Sequence, residues 1–178
     1  MITTDQQPSS PQYKQHDQDH QFTHGVLLTG ARTWSDTANM RQTFSAIWKT
    51  WEPTTILRPV LLSGACPTGA DAMAESLWQD EGLDVIRFHA DWSRGRKAGP
   101  ERNQRMVNTA LEFQRRGVQI IGAAFWDLCD KSGCTNQQRQ LLPKASGHFS
   151  HGTAHCAGLA RRFGLPVIDT IQKHSERA

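Results

Sequence analysis

Three short turns in this chain carry the residue types that hold phosphates. In Val60-Leu61-Leu62-Ser63-Gly64-Ala65-Cys66-Pro67-Thr68-Gly69-Ala70-Asp71, an apolar run stops at Gly64, turns through Pro67 and Gly69, and enters a helical pattern near Asp71. Glycine and Ala65 there let backbone N–H groups come close to a ligand, and a helix N-terminus favours negative charge. The arrangement recurs at Thr29-Gly30-Ala31-Arg32 and at Ser150-His151-Gly152-Thr153. None is followed by the Gly-Lys-Ser/Thr of a Walker loop, and none has the G-x-G-x-x-G spacing of dinucleotide folds. Any one of these turns is ordinary in a parallel α/β sheet. Three at one sheet edge point to a phosphate or nucleotide site, with Gly64, Gly69, Gly152 and Thr153 as its phosphate contacts.

The segment from Ala90 to Asn103 is the densest in function-capable groups. Asp91 and Trp92 offer an acceptor and a stacking face for a base, and Lys97 joins them as a ligand-binding candidate. Arg94 and Arg96 read as a solvated basic loop. Arg102 and Asn103 read as the first turn of a helix, where N–H groups and a guanidinium together hold an anion. Positive charge at a helix N-terminus opposes the macrodipole, so Arg102 calls for an anion or a carboxylate. Arg32 supplies further charge, and Asp71 or Asp91 a ribose or base contact.

A second chemistry is written between Phe125 and Thr153, a long stretch without clear periodicity. Cys129 and Cys134 are separated by four residues and His148 and His151 by two. Thiolates and imidazoles at such spacings suit zinc, and a long loop lacking its own core gains from a metal staple. Cys129, Cys134, His148 and His151 are therefore candidate metal ligands for a structural zinc, with His155 and Cys156 as alternates. The plain reading against it is reduced thiols and surface histidines.

These groups need a scaffold, and the pattern around them supplies one. Val26–Leu28, Val60–Ser63, Val85–Phe88, Val118–Phe125 and Pro166–Ile168 read as strands. Between them lie helical spacings: Met40, Phe44, Ile47, Trp48 and Trp51 after a capping Asp36, closed by Pro53; Met73, Leu77 and Trp78; Met106, Ala110 and Phe113 behind Pro100; and Leu159, Ala160 and Phe163. Strands alternating with single helices mean right-handed crossovers and a mostly parallel sheet covered on both faces. The expected architecture is an α/β, Rossmann-like three-layer fold with five strands, residues 24–178, and an insertion over 126–151 before the last helix. In such sheets the ligand lies beyond the carboxyl ends of the strands, where every turn named above falls.

Residues 1–23 hold almost nothing apolar and read as a disordered polar tail in which His16, His20 and His24 are solvated. Lys and Arg number 20 against 17 acids, a net +3, too mild to argue for a nucleic-acid groove. Basic residues are not interleaved with aromatics either, so nucleic acid is not an expected partner. No apolar run approaches the roughly 20 residues of a membrane helix, and the polar start is no signal peptide. A cytoplasmic protein with no membrane partner is the expectation, its four cysteines reduced or metal-bound. Homo-oligomerisation stays open.

Gly30-Ala31-Arg32, Gly64-Ala65 through Gly69-Ala70-Asp71, Ala90-Asp91-Trp92, Ala98-Gly99-Pro100 with Arg102-Asn103, and Ser150-x-Gly152-Thr153 together resemble the signature of the SMF/DprA–LOG (SLOG) superfamily, closest to its YspA/YpsA-related branch. The resemblance spans roughly Val26 to Thr170. It implies a Rossmann-like sheet that binds nucleotides or nucleotide-derived ligands, in a superfamily holding phosphoribohydrolases, sensors of cyclic ADP-ribose-type signals and single-strand DNA-binding proteins. In the phosphoribohydrolases a catalytic Glu follows the Gly-Thr turn by three residues; here that position is Cys156. A thiol cannot replace a carboxylate beside an oxocarbenium-like ribosyl centre, and Asp71 and Asp91 are the remaining acids. The expected function is thus binding of a nucleoside monophosphate or an ADP-ribose-type signalling nucleotide, as sensor or sequestering protein. N-glycosidic hydrolysis is the alternative, and single-stranded DNA binding ranks third.

Overall fold

The computed structural model describes residues 22–51, 57–132, 134 and 148–173. Five strands form one parallel sheet: β1 (His24–Gly30), β2 (Pro59–Ser63), β3 (Asp84–Arg87), β4 (Gln119–Trp126) and β5 (Val167–Ile171), in the order β3-β2-β1-β4-β5. The helices are α1 (Thr37–Thr50), α2 (Gly69–Asp80), α3 (Ala98–Arg115) and α4 (His151–Arg162), and a 3-10 segment over Trp92–Lys97 leads into α3. The expected α/β three-layer architecture is what forms, with every strand pair parallel.

Handedness distributes the layers. Chain moving outward from β1 through β2 to β3 must place its right-handed crossovers on one face, and chain moving through β4 to β5 on the other. Accordingly α1 and α2 share a core with one side of the sheet, in which Met40, Ile47, Ala74 and Trp78 pack on Val26, Leu28, Leu61 and Phe125. On the opposite face α3 and α4 bring Met106, Val107, Ala110, Cys156 and Leu159 against Leu27, Val60 and Leu62. Because β1 is buried on both faces it reads as a continuous apolar run, Val26-Leu27-Leu28, rather than an alternation.

Local signals act as their chemistry requires. The Asp36 side chain accepts from the Asn39 amide at 2.9 Å and starts α1. Gly117 takes φ 90° immediately past α3, turning the chain toward β4. Other expectations are corrected. His24 is no tail residue: it opens β1, is 3 % exposed and stacks on Trp51 at 4.7 Å. Phe22 and Thr23 already lie against the domain, through a ring contact to Phe113 and backbone bonds to Arg58 and Gln119. α3 starts at Ala98, so Arg102 and Asn103 sit in its second turn, because the 3-10 segment feeds straight into the helix. β5 runs on to Ile171, paired with Trp126 at the end of β4. The polar tail over residues 1–21 and Pro53 lie outside the described residues.

Candidate functional site

The strand order reverses at β1, between β2 and β4, and the loops leaving these strands part to opposite faces of the sheet. This switch point opens a cleft beyond the strands' carboxyl ends. A cavity of about 610 Å³ fills it, within the range that small-molecule sites occupy. Its walls are the turn after β1, Gly64 and Asp71 below, the Trp92–Asn103 stretch on one side, and Leu128–Lys131 with the start of α4 on the other.

The floor is close-packed. A Cβ on Gly64 would fall 1.7 Å from the Arg102 guanidinium and 2.8 Å from the Asp71 carboxylate; one on Gly30 would meet the Ala70 Cβ at 2.2 Å. Gly69, at φ 70°, passes so near the turn after β1 that a Cβ would lie 2.3 Å from the Ala31 carbonyl, which accepts from the Ala70 amide. Neighbouring protein atoms are therefore what demand glycine at these three positions. Ala65 also has positive φ, 54°, and its amide bonds to the Ser63 hydroxyl.

Asp71 is 5 % exposed and accepts from the Cys66 amide at 3.1 Å. Burial pushes its carboxyl up to about 6, against the pull of Arg102 and the Cys66 N–H in the other direction. The Arg102 guanidinium lies 3.7 Å from this carboxylate and donates to the Gly64 carbonyl. The partner that Arg102 requires is thus Asp71, supplied from α2. Asn103, 3 % exposed, donates to the Gly152 carbonyl at 3.2 Å and lies 3.3 Å from His155 Nδ1, tying α3 to the start of α4.

The upper walls are open and basic. Arg32 and Arg96 both line the cavity, and no salt bridge among the described residues engages either. Arg32 stands 5.8 Å from the ring centre of Trp92, which is 62 % exposed and free to stack on a further ring. α4 begins at the cavity without a side-chain cap: Ser150 makes no capping bond, and no acid stands in the first turn. Nothing lies within 4 Å of where a Gly152 Cβ would be, and the Thr153 hydroxyl is buried without a partner.

Of the residues expected to contact ligand, Gly30, Arg32, Gly64, Asp71, Trp92, Arg102, Asn103 and Gly152 line the one cavity. Ala65 lines a separate pocket with Pro67 and Glu75, and Thr153 is buried; neither they nor Gly69 line the cavity. Asp91 and Lys97 are exposed outside it; Asp91 is held below its ordinary value by the Ser93 amide and hydroxyl it accepts from. Arg96 and His155 are among the cavity residues that the sequence did not single out as ligand contacts. Arg96 lines the cavity rather than a solvated loop, whereas Arg94 turns away, onto Glu101 at 2.6 Å. His155 faces the cavity from one turn inside α4, and burial, helped by Arg162, holds its imidazole below its ordinary value.

Beside this cavity the four expected metal ligands converge. Cys129 Sγ, Cys134 Sγ, and the ligating nitrogens of His148 and His151 all lie within 4.8 Å of one another, each residue half-buried. Cys134 Sγ is 3.3 Å from His148 Nε2 and 3.1 Å from His151 Nε2, and the two nitrogens are 3.2 Å apart. Three atoms in so tight a triangle cannot be joined by three near-linear hydrogen bonds. They lie at or slightly below the edges, ~3.3–3.7 Å, of a tetrahedron with metal–ligand bonds of about 2.0–2.3 Å. This Cys2His2 cluster can hold a metal ion. The alternates are corrected: Cys156 is wholly buried in the core with its thiol pushed up to about 11, and His155 pairs with Asn103. A short antiparallel bridge carries the cluster, Leu128 against Phe149, with the Cys129 amide bonded to the His148 carbonyl at 2.8 Å.

Residues 25–95, from β1 through the 3-10 turn, match the model of the YspA, cpYpsA-related SLOG family. The match covers less than half of the chain and marks a similarity to that family. This segment carries β1, β2, β3 and the turns of the cavity floor, whereas the metal cluster and α4 lie outside the matched residues. No curated protein and no solved structure gives a significant match to the chain.

Proposed function

We propose that the protein binds a nucleotide or nucleotide-derived ligand, a nucleoside monophosphate or an ADP-ribose-type compound, and acts as a sensor or sequestering protein. The observation that carries this reading is the uncapped start of α4 on a cavity that also holds two arginines, Arg32 and Arg96, which no salt bridge among the described residues engages. Exposed helix N–H groups, a helix dipole and guanidinium groups are the donors an anionic phosphate needs. Trp92 offers the face on which a base stacks, and the similarity of residues 25–95 to the SLOG family supports a nucleotide-related ligand.

One observation favours hydrolysis as a second reading. Asp71 lines the cavity with its carboxyl near 6, where an acid can hold and release a proton. Its engagement by Arg102 and the Cys66 amide, and a buried Cys156 in place of the hydrolase Glu, weigh for binding without turnover. Incubation with AMP, ADP-ribose and cyclic ADP-ribose isomers, followed by chromatography for released base, decides between them. A raised melting temperature with intact ligand supports binding. Multiple turnovers establish hydrolysis, and no thermal shift with any nucleotide removes both readings.

For the Cys2His2 cluster we propose structural zinc. Two thiolates and two imidazoles are its preferred tetrahedral donors, and all four positions are taken by protein, leaving none open for catalysis. Bound there, zinc would pin the segment between β4 and α4.

A further inference from the structure

The metal cluster and the ligand cavity share residues. His151 is a ligand of the cluster, the first residue of α4 and part of the cavity wall; Cys129 is a ligand and part of the same wall. We propose that the Cys129–Cys134–His148–His151 centre builds that wall, so that metal occupancy and anion binding reinforce each other. The coupling rests on the nucleotide-binding reading; the construction of the wall does not.

Among the described residues a short set of further contacts fixes this side of the cavity. The strap Asp127–Lys131 is held to the segment entering α4 by the Leu128–Phe149 bridge, the Cys129 amide on the His148 carbonyl and the Ser150 amide on the Asp127 carbonyl. A ring contact of Phe149 with Trp126 at 5.4 Å anchors it to β4. Asp127 extends the connection across the cleft: its carboxylate accepts from Thr33 at 2.5 Å and Gln172 at 3.2 Å, and Thr33 itself lines the cavity. From His151 the path continues through Gly152, whose carbonyl receives Asn103 of α3. A metal closing the four side chains therefore fixes the strap, the direction of α4's first turn and the Gly152 position together.

Charge says what kind of coupling this is. Two thiolates cancel a divalent ion, so the loaded centre adds no net attraction for an anion. The coupling must be positional, with the helix N–H groups pre-aimed and less ordering left for the ligand to do.

The test uses the full chain, zinc, and AMP and ADP-ribose as probes. Cys134 and His148 do not line the cavity, so Cys134→Ser and His148→Ala remove metal ligands without touching a ligand directly. Each should lower zinc affinity and weaken AMP and ADP-ribose binding about tenfold, the common scale of coupling between sites. Chelation of the wild type should do the same, and zinc should restore it. Saturating AMP should tighten zinc binding by the same factor. Hydrogen exchange reads the wall without any nucleotide: on chelation it should quicken over Asp127–Ser132 and His148–His155 while β1 and β2 keep their protection. Equal nucleotide affinity with and without zinc overturns the coupling. Unchanged exchange, exchange quickened throughout the chain, or a chain that takes up no zinc overturns the proposal. If neither form binds any nucleotide, the nucleotide reading fails, and the exchange pattern alone decides whether the metal builds the wall.

Discussion

The two sides of the cavity are built by different physics. On the β2–α2 side, order comes from close approach: glycines at 30, 64 and 69 let backbone, Arg102 and Asp71 pack without space for a methyl group. On the β4–α4 side a small cluster of Ala124, Trp126, Phe149 and Ala157 packs the base, Gly152 faces open space, and four side chains able to hold a metal converge beside them. The first side is shaped by what its residues exclude; the second brings together residues that could coordinate a metal. A floor fixed by sterics and a wall that a bound metal would pin should respond to different perturbations, and that difference can be probed.

The largest effect is expected on the floor. Arg102→Ala leaves the buried Asp71 carboxylate without its guanidinium and should destabilise the protein by about 3 kcal/mol at pH 7.5, measured by denaturant unfolding. The helix-dipole argument alone would give a small gain from the same substitution; the Asp71 contact reverses its sign.

Asp71 also sets a pH dependence. Its carboxyl titrates near 6 in the folded protein against an ordinary 3.8, so the folded state holds the proton more tightly than the unfolded chain. The stabilisation is complete below 3.8 and is lost as pH rises through about 6, some ~3 kcal/mol in all, the equivalent of about two pKa units. Unfolding free energy measured between pH 4 and 7.5 should fall by that order. Asp71→Asn should flatten that part of the profile, whereas metal removal should leave it in place.

How much of this was legible in the residues follows the same division. The floor was written in glycine and alanine, and those signals placed the turns correctly. Their cause was different: Gly30, Gly64 and Gly69 answer to neighbouring protein atoms. The partner of Arg102 could be demanded from helix electrostatics, but not named, because Asp71 is 31 positions away and meets it only through the fold. Arg96 could not be separated from Arg94 by type; the position of Glu101 decides which of them turns away. Cys129, Cys134, His148 and His151 were readable as a group because thiol and imidazole have few other reasons to recur in a loop. Cys156 shares their chemistry and differs only in burial, which helical periodicity alone does not give.

Two smaller effects sharpen the comparison at the open wall. Trp92→Ala should leave stability unchanged, since the ring is exposed, yet weaken AMP and ADP-ribose by about 1–3 kcal/mol in calorimetric titration, the scale of stacking on a base. Gly152→Ala should raise unfolding free energy by about 0.5–1 kcal/mol, as a methyl group replaces a helical glycine with nothing to strike. The same methyl occupies space the ligand would use, so affinity should drop while stability rises. On the floor, Gly64→Ala should lower both.

The central claim is that this cavity takes a nucleotide beside a metal-pinned wall. Native mass spectrometry of freshly purified protein, with AMP or ADP-ribose then added at saturating concentration, tests it most directly. The account predicts a chain carrying one zinc and one nucleotide, the nucleotide leaving intact when the complex is denatured. A folded, zinc-loaded chain that retains and takes up no nucleotide would contradict it.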